Sequence, residues 1–307
     1  MNLRLGIVGF GKIARDQHVQ AIAHTVGVDL VAIASRNATL ERVANYHDLA
    51  AMLAGEPTLD AVALCQPPQA RFEAACAALE AGKHVFLEKP PGATVSEVLA
   101  LREIAARNDM TLFASWHSRF AAGVAPAKQW IAQHKARAIS IAWKEDVRHW
   151  HPGQDWIWAP GGFGVFDPGI NALSILTEIV GEPVRLIDAE LETPSNKHAP
   201  IAAKLKLATE SGTPIAAEFD FRQTGPQTWD IVVEAASGEL TLSSGGGQLM
   251  IDDVVKEVGP EAEYRALYAH FVDLVRGGRS DVDVVPLQIV ADAFLRGEFR
   301  PSAPFED

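Results

Sequence analysis

The sequence predicts an α/β protein of two domains. An N-terminal parallel sheet is covered by helices on both faces, and a C-terminal α+β domain contains a large, mainly antiparallel open sheet. Up to about residue 120, continuous apolar runs of strand length alternate with helical patterns, which is typical of a parallel sheet. Beyond that point, strand-like runs follow one another, separated by turns such as Ser211-Gly212 and Ser237-Gly238. The 307 residues suffice for two hydrophobic cores, and we predict domain boundaries of 1–120 and 121–307.

The first predicted strand, Leu3 to Val8, leads into a glycine turn and then a helical pattern. Gly9, Gly11 and Ala14 have the spacing G-x-G-x-x-A, which is typical of a Rossmann dinucleotide-binding turn. The first glycine permits the bend, the second lets the backbone approach a pyrophosphate, and the small third residue brings the helix close to the strand. Glycine turns also occur for conformational reasons alone, but the flanking strand and helix favour dinucleotide binding. The residues predicted at the pyrophosphate are Gly9, Gly11, Lys12 and Ile13.

Four further apolar runs predict buried strands in the first domain, at 29–34, 59–65, 84–87 and 111–115. A capping box of Thr94 and Glu97 begins the helix before the last of them. Ligands of parallel sheets bind at the carboxyl ends of the strands, so we expect the residues that follow each strand to line one crevice. Those expected to bind the cofactor are Ser35, Arg36, Gln66, Pro67, Glu88 and Lys89, and His117 follows the last strand.

Arg36 indicates which nicotinamide dinucleotide is bound. Domains that prefer NAD usually place an acidic residue after the second strand, where it accepts the ribose hydroxyls. This chain has Ser35 and Arg36 there, and a guanidinium can pair with a 2′-phosphate and stack on adenine. A solvated loop arginine is the alternative. We predict NADP as the cofactor and leave the acceptance of NAD open.

Lys89 is the predicted proton-transferring group. It follows Glu88 at the end of a strand and precedes Pro90 and Pro91, which stiffen the turn. A lysine at this edge of the sheet would point toward the nicotinamide and could exchange a proton with a reacting hydroxyl. A surface lysine that happens to precede proline is the alternative.

Asp167 and Asn171 are predicted to share one face of a helix that begins near Pro168. Proline suits the first helical position, so Asp167 is expected to be the N-cap, with Asn171 one turn further on. Residues four apart lie on the same face. Capping alone would explain Asp167 but not the matching Asn171, so we predict that both belong to the site.

The segment from Trp143 to Trp158 contains four of the seven tryptophans, together with carboxylates and imidazoles. Flat apolar rings beside hydrogen-bonding groups suit the face of a sugar. A loop packed by its own aromatic side chains is the alternative, especially for Trp156 and Trp158. Metal binding by Glu145, His149 and His151 is a rival, but no HExxH or paired-cysteine spacing supports it, and we predict no metal.

Composition excludes several classes of partner. A formal net charge of −12 argues against binding to nucleic acid or an anionic membrane. We expect no signal peptide, and no apolar run has membrane-spanning length. Cys65 and Cys76 are most simply free, buried thiols of a cytoplasmic protein. A sheet as broad as that of the second domain needs cover on both faces, so we expect a homodimer formed through it.

The chain resembles the glucose–fructose oxidoreductase and inositol dehydrogenase family, and within it the bacterial NAD(P)-dependent aldose 1-dehydrogenases that act on L-arabinose and D-galactose. The resemblance extends over essentially the whole chain. The segments that carry it are 11–18, 87–94, 113–119, 143–158 and 165–176.

The resemblance implies roles for several residues. Lys89 corresponds to the lysine of the family's Glu-Lys-Pro motif, and Asp167 and Asn171 occupy the first and last positions of its D-x-G-x-H motif. Asn171 stands where the family usually has histidine, and an amide cannot relay a proton. Proton removal is therefore expected to fall to Lys89, assisted by Asp167, while Asn171 holds a hydroxyl. The further residues implied to contact the sugar are His117, Glu145, Trp150, His151 and Trp229.

The predicted activity is NADP⁺-dependent oxidation of the anomeric carbon of a pyranose (L-arabinose, D-galactose or D-fucose) to the aldonolactone by hydride transfer. Three alternatives remain open: an oxidoreductase of the same fold acting at C3 or on a cyclic polyol, a metal-assisted hydrolase that uses His149 and His151, and a non-catalytic nicotinamide-binding sensor.

Overall fold

A computed structural model describes residues 2–256 and 258–306 of the chain. The contacts within it define two compact units. The first comprises residues 1–117 and 262–284, and the second comprises 118–261 and 285–307. The segment 262–284 was assigned to the second domain from the sequence but packs within the first unit. Its helix buries Tyr268 and Phe271 against Phe86, and such a contact leaves no trace in a local sequence pattern.

Within the described residues the strands are β1 (Leu3–Val8), β2 (Val28–Ala34), β3 (Ala44–Tyr46), β4 (Ala61–Leu64), β5 (His84–Glu88), β6 (Leu112–Ser115), β7 (Ala136–Lys144), β8 (Val184–Pro194), β9 (Ala202–Thr209), β10 (Pro214–Asp220), β11 (Thr228–Ala235), β12 (Gly238–Ser243), β13 (Gln248–Ile251), β14 (Val254–Lys256) and β15 (Glu298–Ser302).

The α-helices of the same residues are α1 (Val19–Ala23), α2 (Leu49–Gly55), α3 (Arg71–Glu80), α4 (Val95–Arg107), α5 (Val124–Gln133), α6 (Val147–Trp150), α7 (Phe166–Val180), α8 (Glu263–Arg276) and α9 (Val285–Arg296). A π-helical turn, Ala14–His18, leads directly into α1.

The first unit contains the predicted parallel sheet. Its order is β3-β2-β1-β4-β5-β6, and every neighbouring pair is parallel. Strands β4 and β6 are buried along their whole length, because helices cover both faces of the sheet. From β1 the chain adds strands β2 and β3 on one side and then β4, β5 and β6 on the other. Doubly wound sheets bind ligands in the crevice at this switch point, between β1 and β4. The prediction of a Rossmann domain is confirmed.

The second unit contains a nine-stranded sheet in the order β14-β13-β12-β11-β7-β10-β9-β8-β15. Most neighbours are antiparallel, as predicted, but β7 with β10 and β8 with β15 are parallel. Alternation of buried and exposed side chains along β9 and β10 shows a covered and an open face. Helices α5, α7 and α9 pack on the covered face.

Local details refine three predictions. The Thr94 hydroxyl accepts from the backbone N–H of Glu97, as a capping box requires, but the Glu97 carboxylate accepts from Ala93 rather than from Thr94. Cys65 and Cys76 are free, as predicted, and half-buried rather than fully buried. Across residues 2–256 and 258–306, no helix combines the length and apolar character needed to cross a membrane.

Candidate active site

The predicted site residues of the first unit lie in one row, because they follow neighbouring parallel strands. Across the sheet the row reads Arg36 after β2, Gly9 after β1, Gln66 after β4, Lys89 after β5 and His117 after β6. All five are at the carboxyl ends of their strands, the edge at which parallel sheets bind ligands. The structure therefore brings together the residues that the sequence assigned to this edge.

The glycine turn has the geometry that a pyrophosphate requires. Gly9 has a φ of +87°, and a Cβ there would lie 2.8 Å from the backbone nitrogen of Gln66, so only glycine fits. A Cβ on Gly11 would meet no atom within 4 Å, which leaves open space beside the backbone. Ala14 is fully buried where the π-helical turn begins. Exposed backbone at the start of a helix is a suitable cradle for an anion.

Other predicted cofactor residues flank this turn. Ile13 is 38% exposed, unusual for isoleucine, and Lys12 forms an ion pair with Asp16. Arg36 is exposed and makes no ion pair with any residue in 2–256 or 258–306, so its guanidinium is available to an anion. The side-chain oxygen of Gln66 is buried and has no hydrogen-bond partner within the same ranges. These residues fit a bound dinucleotide phosphate, and Ser35 and Pro67 flank them.

The turn that carries Lys89 is held by Arg71, which the sequence analysis missed. The buried Arg71 guanidinium donates to the backbone carbonyls of Glu88 and Pro90, and lies 3.5 Å from that of Lys89. Its Nε also donates to the carbonyl of Gln66 at 2.8 Å. One cation thus fixes the ends of β4 and β5 relative to each other. No sequence signal marked Arg71, since it lies at the start of α3 without a motif.

Behind Lys89 the carboxylate of Glu88 points into the interior of the first unit. Glu88 is 2% exposed, accepts from the Tyr264 hydroxyl at 2.7 Å, and lies 3.4 Å from Nε2 of His18. Nδ1 of the fully buried His18 lies 2.6 Å from the Tyr268 hydroxyl. The Glu88 side chain is thus occupied, and its predicted contact with the cofactor would have to use the backbone. We call His18, Glu88, Tyr264 and Tyr268 the buried network.

Neighbouring charges stabilise the charged forms of His18 and Glu88 and outweigh the cost of burying them. Burial lowers the pKa of His18, but the Cys65 sulfur, 3.7 Å from both ring nitrogens, and the Glu88 carboxylate outweigh it and raise the pKa to about 10. Burial raises the pKa of Glu88, but His18 and the more distant charges of His117 and Arg71 lower it to about 2. His18 and Glu88 therefore form a buried ion pair. The sequence contained Tyr264 and Tyr268 at helical spacing, but nothing linked them to Glu88.

His117 is half-buried at the edge of the same unit. Its Nδ1 lies 2.6 Å from a carboxylate oxygen of Glu263, and its ring stacks on Tyr264 with centroids 5.2 Å apart. Glu263 therefore orients the imidazole and directs Nε2 away from α8. That orientation is consistent with the predicted sugar contact.

The second unit assembles the other predicted polar residues. His151 Nε2 lies 2.8 Å from Oε1 of Glu145, and Nδ1 lies 3.6 Å from Oδ2 of Asp167. The other oxygen of Glu145 accepts from the indole N–H of Trp229 at 2.8 Å. Glu145 and Asp167 are both buried, at 2% and 4% exposure. We call Glu145, His151, Asp167 and Trp229 the carboxylate–imidazole cluster.

Helix α7 positions Asp167 and Asn171. The sequence predicted that Asp167 is the N-cap, and this prediction is wrong. The helix begins at Phe166 with Val165 as the N-cap, so Asp167 lies within the first turn. An acidic residue in the first turn still interacts favourably with the helix dipole. Asn171, half-buried, lies one turn further on the same face. Gly169 allows α7 to lie close to the sheet, since a Cβ there would be 3.1 Å from the ring of Phe219.

Three tryptophans form a wall beside this cluster. Trp143 and Trp229 stack with ring centroids 5.8 Å apart, and Trp150 lies 4.8 Å from Trp229. Trp150 is 37% exposed and offers an apolar face to a ligand. Trp158 instead is buried and packs edge-on against Phe221, as the alternative interpretation of the loop expected.

The rival metal site does not assemble. His149 is exposed and packs against Trp150, while His151 faces Glu145 and Asp167. Within residues 2–256 and 258–306 no group of three or more histidine, cysteine, aspartate or glutamate side chains is arranged to hold a metal ion.

Known proteins resemble the chain over nearly its full length. A family model described as "Oxidoreductase family, NAD-binding Rossmann fold" matches residues 3–115. A galactose 1-dehydrogenase from Pseudomonas fluorescens is 45% identical, over 96% of each chain. The crystal structure of a D-galactose-1-dehydrogenase from Rhizobium etli superimposes with a TM-score of 0.96 at 54% identity, and covers 99% of this chain and 98% of its own. The 3-ketoreductase KijD10 from Actinomadura kijaniata, with NADP and TDP-benzene, shares the fold alone, at a TM-score of 0.85 and 17% identity over 98% and 100% of the chains.

Together, the parallel sheet, the glycine turn and the residues beyond its strands define a dinucleotide-binding oxidoreductase of the Rossmann type. The chain belongs to the oxidoreductase family of the matching model, the glucose–fructose oxidoreductase and inositol dehydrogenase family that its motifs resemble.

Proposed function

We propose that this oxidoreductase is an NADP⁺-dependent aldose 1-dehydrogenase that oxidises the anomeric carbon of a pyranose to the aldonolactone. The observation that carries the proposal is the 54% identity with a D-galactose-1-dehydrogenase over 99% of this chain, because it includes the unit that holds the carboxylate–imidazole cluster. The tryptophan wall beside buried carboxylates is also the combination that a sugar ring requires.

In the proposed mechanism, Lys89 and Asp167 remove the proton of the anomeric hydroxyl. The nicotinamide dinucleotide, when bound, supplies the acceptor for the two electrons and the hydrogen of C1. Asn171 holds a neighbouring hydroxyl through its amide, which can both donate and accept. His117, Glu145, Trp150, His151 and Trp229 are proposed to orient the ring.

The two residues proposed to remove the proton, Lys89 and Asp167, are each held in place by their surroundings. Arg71 fixes the backbone on both sides of Lys89, so the lysine side chain leaves the sheet from a rigid turn. Asp167 is buried in the first turn of α7, where the helical backbone fixes the direction in which its side chain leaves the helix. Preorganised groups of this kind lower the cost of reaching the transition state.

We propose D-galactose, L-arabinose and D-fucose as substrates. These sugars share the arrangement of their ring hydroxyls and differ only in the substituent at C5. One carbon more or less in an apolar pocket discriminates by only ~1–3 kcal/mol, so broad use is expected.

The experiment is a panel of purified aldoses and cyclic polyols, assayed by the reduction of NADP⁺ and of NAD⁺, with the product identified by NMR. Galactose, arabinose and fucose should be oxidised and should give the lactone. Oxidation at C3, or reaction with polyols alone, would contradict the assignment to C1. Cofactor binding without any sugar-dependent reduction would identify a sensor, and inactivation by a chelator would favour the hydrolase.

We also propose a homodimer in the cytoplasm. On the open face of the second sheet, Ala142 and Val232 present apolar side chains away from the helices, so a second copy could cover them. Free thiols at Cys65 and Cys76 are typical of a reducing compartment. Sedimentation of the protein and of a Val232→Glu variant tests the interface: the variant should be monomeric, and an unchanged dimer would exclude this face.

A further inference from the structure

His151 lies between two buried carboxylates that belong to different elements. Glu145 follows the end of β7, and Asp167 lies in the first turn of α7. Nε2 of the ring is within hydrogen-bond distance of Glu145, at 2.8 Å, while Nδ1 faces Asp167 at 3.6 Å. The two ring nitrogens thus have different partners at different distances, and this asymmetry determines what the imidazole can do.

The hydrogen bonds of Glu145 determine the tautomer of His151. One oxygen of Glu145 already accepts from the indole N–H of Trp229, a group that can only donate. The ionised carboxylate accepts through its other oxygen as well, so the proton of a neutral imidazole lies on Nε2. Nδ1 then carries the lone pair. Among residues 2–256 and 258–306, Nδ1 of His151 is buried and has no hydrogen-bond partner.

A lone pair that faces Asp167 can accept a proton from it. When Asp167 takes a proton from a hydroxyl it becomes a carboxylic acid, and its new O–H can donate to Nδ1. The 3.6 Å separation must shorten by several tenths of an ångström, as catalytic contacts commonly do when substrate binds. The resulting imidazolium would donate to both carboxylates and so remain paired.

The exposed fractions of the three side chains indicate that a proton can leave the cluster through His151. The side chains of Glu145 and Asp167 are 2% and 5% exposed, whereas that of His151 is 13% exposed. The next residues, Pro152 and Gly153, are exposed. A proton that reaches the imidazole therefore gains access to water that Asp167 lacks.

We propose that His151 is a proton relay: it accepts at Nδ1 the proton that Asp167 receives from the sugar hydroxyl, and Glu145 stabilises the imidazolium before that proton passes to water. The proposal rests on the proposed function. In the balanced step, the sugar O–H breaks and its proton passes by way of the Lys89 amine to Asp167; the Asp167 O–H then breaks as the N–H of His151 forms. The oxidised nicotinamide dinucleotide, when bound, would accept the hydride of C1, and one proton would be released per turnover.

The neighbouring Asn171 cannot replace the relay, since its amide does not gain or lose a proton at neutral pH. The charged groups that face the His151 ring within ion-pair distance, among the described residues, are Glu145 and Asp167, and the ring of Phe221 packs against it at 5.5 Å. Phe221 carries no charge, so the two carboxylates are the charged neighbours of the ring.

The first test uses the protein without substrate. In ¹⁵N-detected spectra of the imidazoles near neutral pH, Nε2 of His151 should be protonated and Nδ1 should not. Glu145→Gln should abolish this preference, because an amide can donate to Nε2. Protonation of Nδ1 instead in the wild type would overturn the proposal.

The second test is kinetic and compares His151→Gln with the control His198→Gln, which changes an exposed histidine of the same unit. We expect kcat of His151→Gln to fall on the order of 10²-fold, with a much smaller change in KM. The pH profile of kcat should change in His151→Gln and should stay as in the wild type in His198→Gln. A higher KM with unchanged kcat and pH profile would make His151 a sugar-binding residue only. If the wild type oxidises no aldose, the proposed function fails, and the spectra still decide whether Nδ1 carries the lone pair.

Discussion

The two units each contain a histidine beside buried carboxylates, but they use it in opposite ways. In the buried network, His18 is fully enclosed, and both its nitrogens and the Glu88 carboxylate have partners. In the carboxylate–imidazole cluster, His151 is partly exposed and one nitrogen lacks a hydrogen bond within the described residues. A saturated, enclosed ion pair has no capacity to exchange a proton with a ligand. The neutral, partly exposed imidazole of His151, with a lone pair on Nδ1, is proposed to have that capacity.

The acidic residue of a sequence motif can stabilise the fold without taking part in the reaction. Glu88 and Lys89 are adjacent in the chain, yet the Glu88 side chain points into the interior while Lys89 is half-buried at the end of the strand. Successive side chains of a strand point to opposite faces, so Glu88 can face the interior while the neighbouring Lys89 points elsewhere. Four changes would break or sharpen this contrast.

The largest effect is expected for Lys89→Ala. Removal of the proton-transferring amine should lower turnover on the order of 10²–10⁴-fold, while NADP binding measured by fluorescence stays nearly unchanged. Lys83→Ala, at the other end of β5, is the matched control and should retain activity. An active Lys89→Ala enzyme would remove this lysine from the mechanism.

The next effect is on stability, for His18→Ala. Loss of one partner leaves the buried Glu88 charge uncompensated, so the free energy of unfolding in urea should fall by about 3–5 kcal/mol. His24→Ala removes an exposed histidine from the same helical segment and should change it little. His151→Gln should also leave it nearly unchanged; equal losses in His18→Ala and His151→Gln would erase the distinction between the two clusters.

A smaller effect is expected for Arg36→Ser, which tests the open edge of the first unit. The exposed guanidinium can contact the 2′-phosphate, so its loss should weaken NADP binding by roughly 10- to 100-fold, and NAD binding much less. Isothermal titration with both cofactors measures the ratio. An unchanged ratio would refute the assignment of Arg36 to the 2′-phosphate.

The fourth change is in pH rather than in the sequence, and its effect is measured as the slope of the free energy of unfolding with pH. The pKa of Glu88 is lowered to about 2, so its contribution is present above about pH 4.5 and is lost as the pH falls toward 2. The pKa of His18 is raised to about 10, so its contribution is present below about pH 6.5 and is lost as the pH rises toward 10. Unfolding free energies measured from pH 3 to pH 10 should therefore decline on both sides, and His18→Ala should flatten the alkaline slope. Identical alkaline slopes would show that His18 does not carry this charge.

The sequence by itself determined the features that depend on short stretches of chain. The apolar runs predict the parallel strands, the glycine spacing predicts the turn after β1, and strand ends place Arg36, Gln66 and Lys89 along one edge of the sheet. Each depends on backbone periodicity or on the conformational freedom of a few neighbouring residues. The helical spacing of Asp167 and Asn171 was predictable for the same reason.

Only the tertiary structure decided which distant side chains meet. Tyr264 reaches Glu88 across 176 positions of the chain, and Trp229 reaches Glu145 across 84. The tertiary structure also decided that β7 and β10 pair in parallel, that Arg71 binds the turn of Lys89, and that α8 packs within the first unit. Such contacts depend on the packing of whole elements, and no local periodicity or turn chemistry records them.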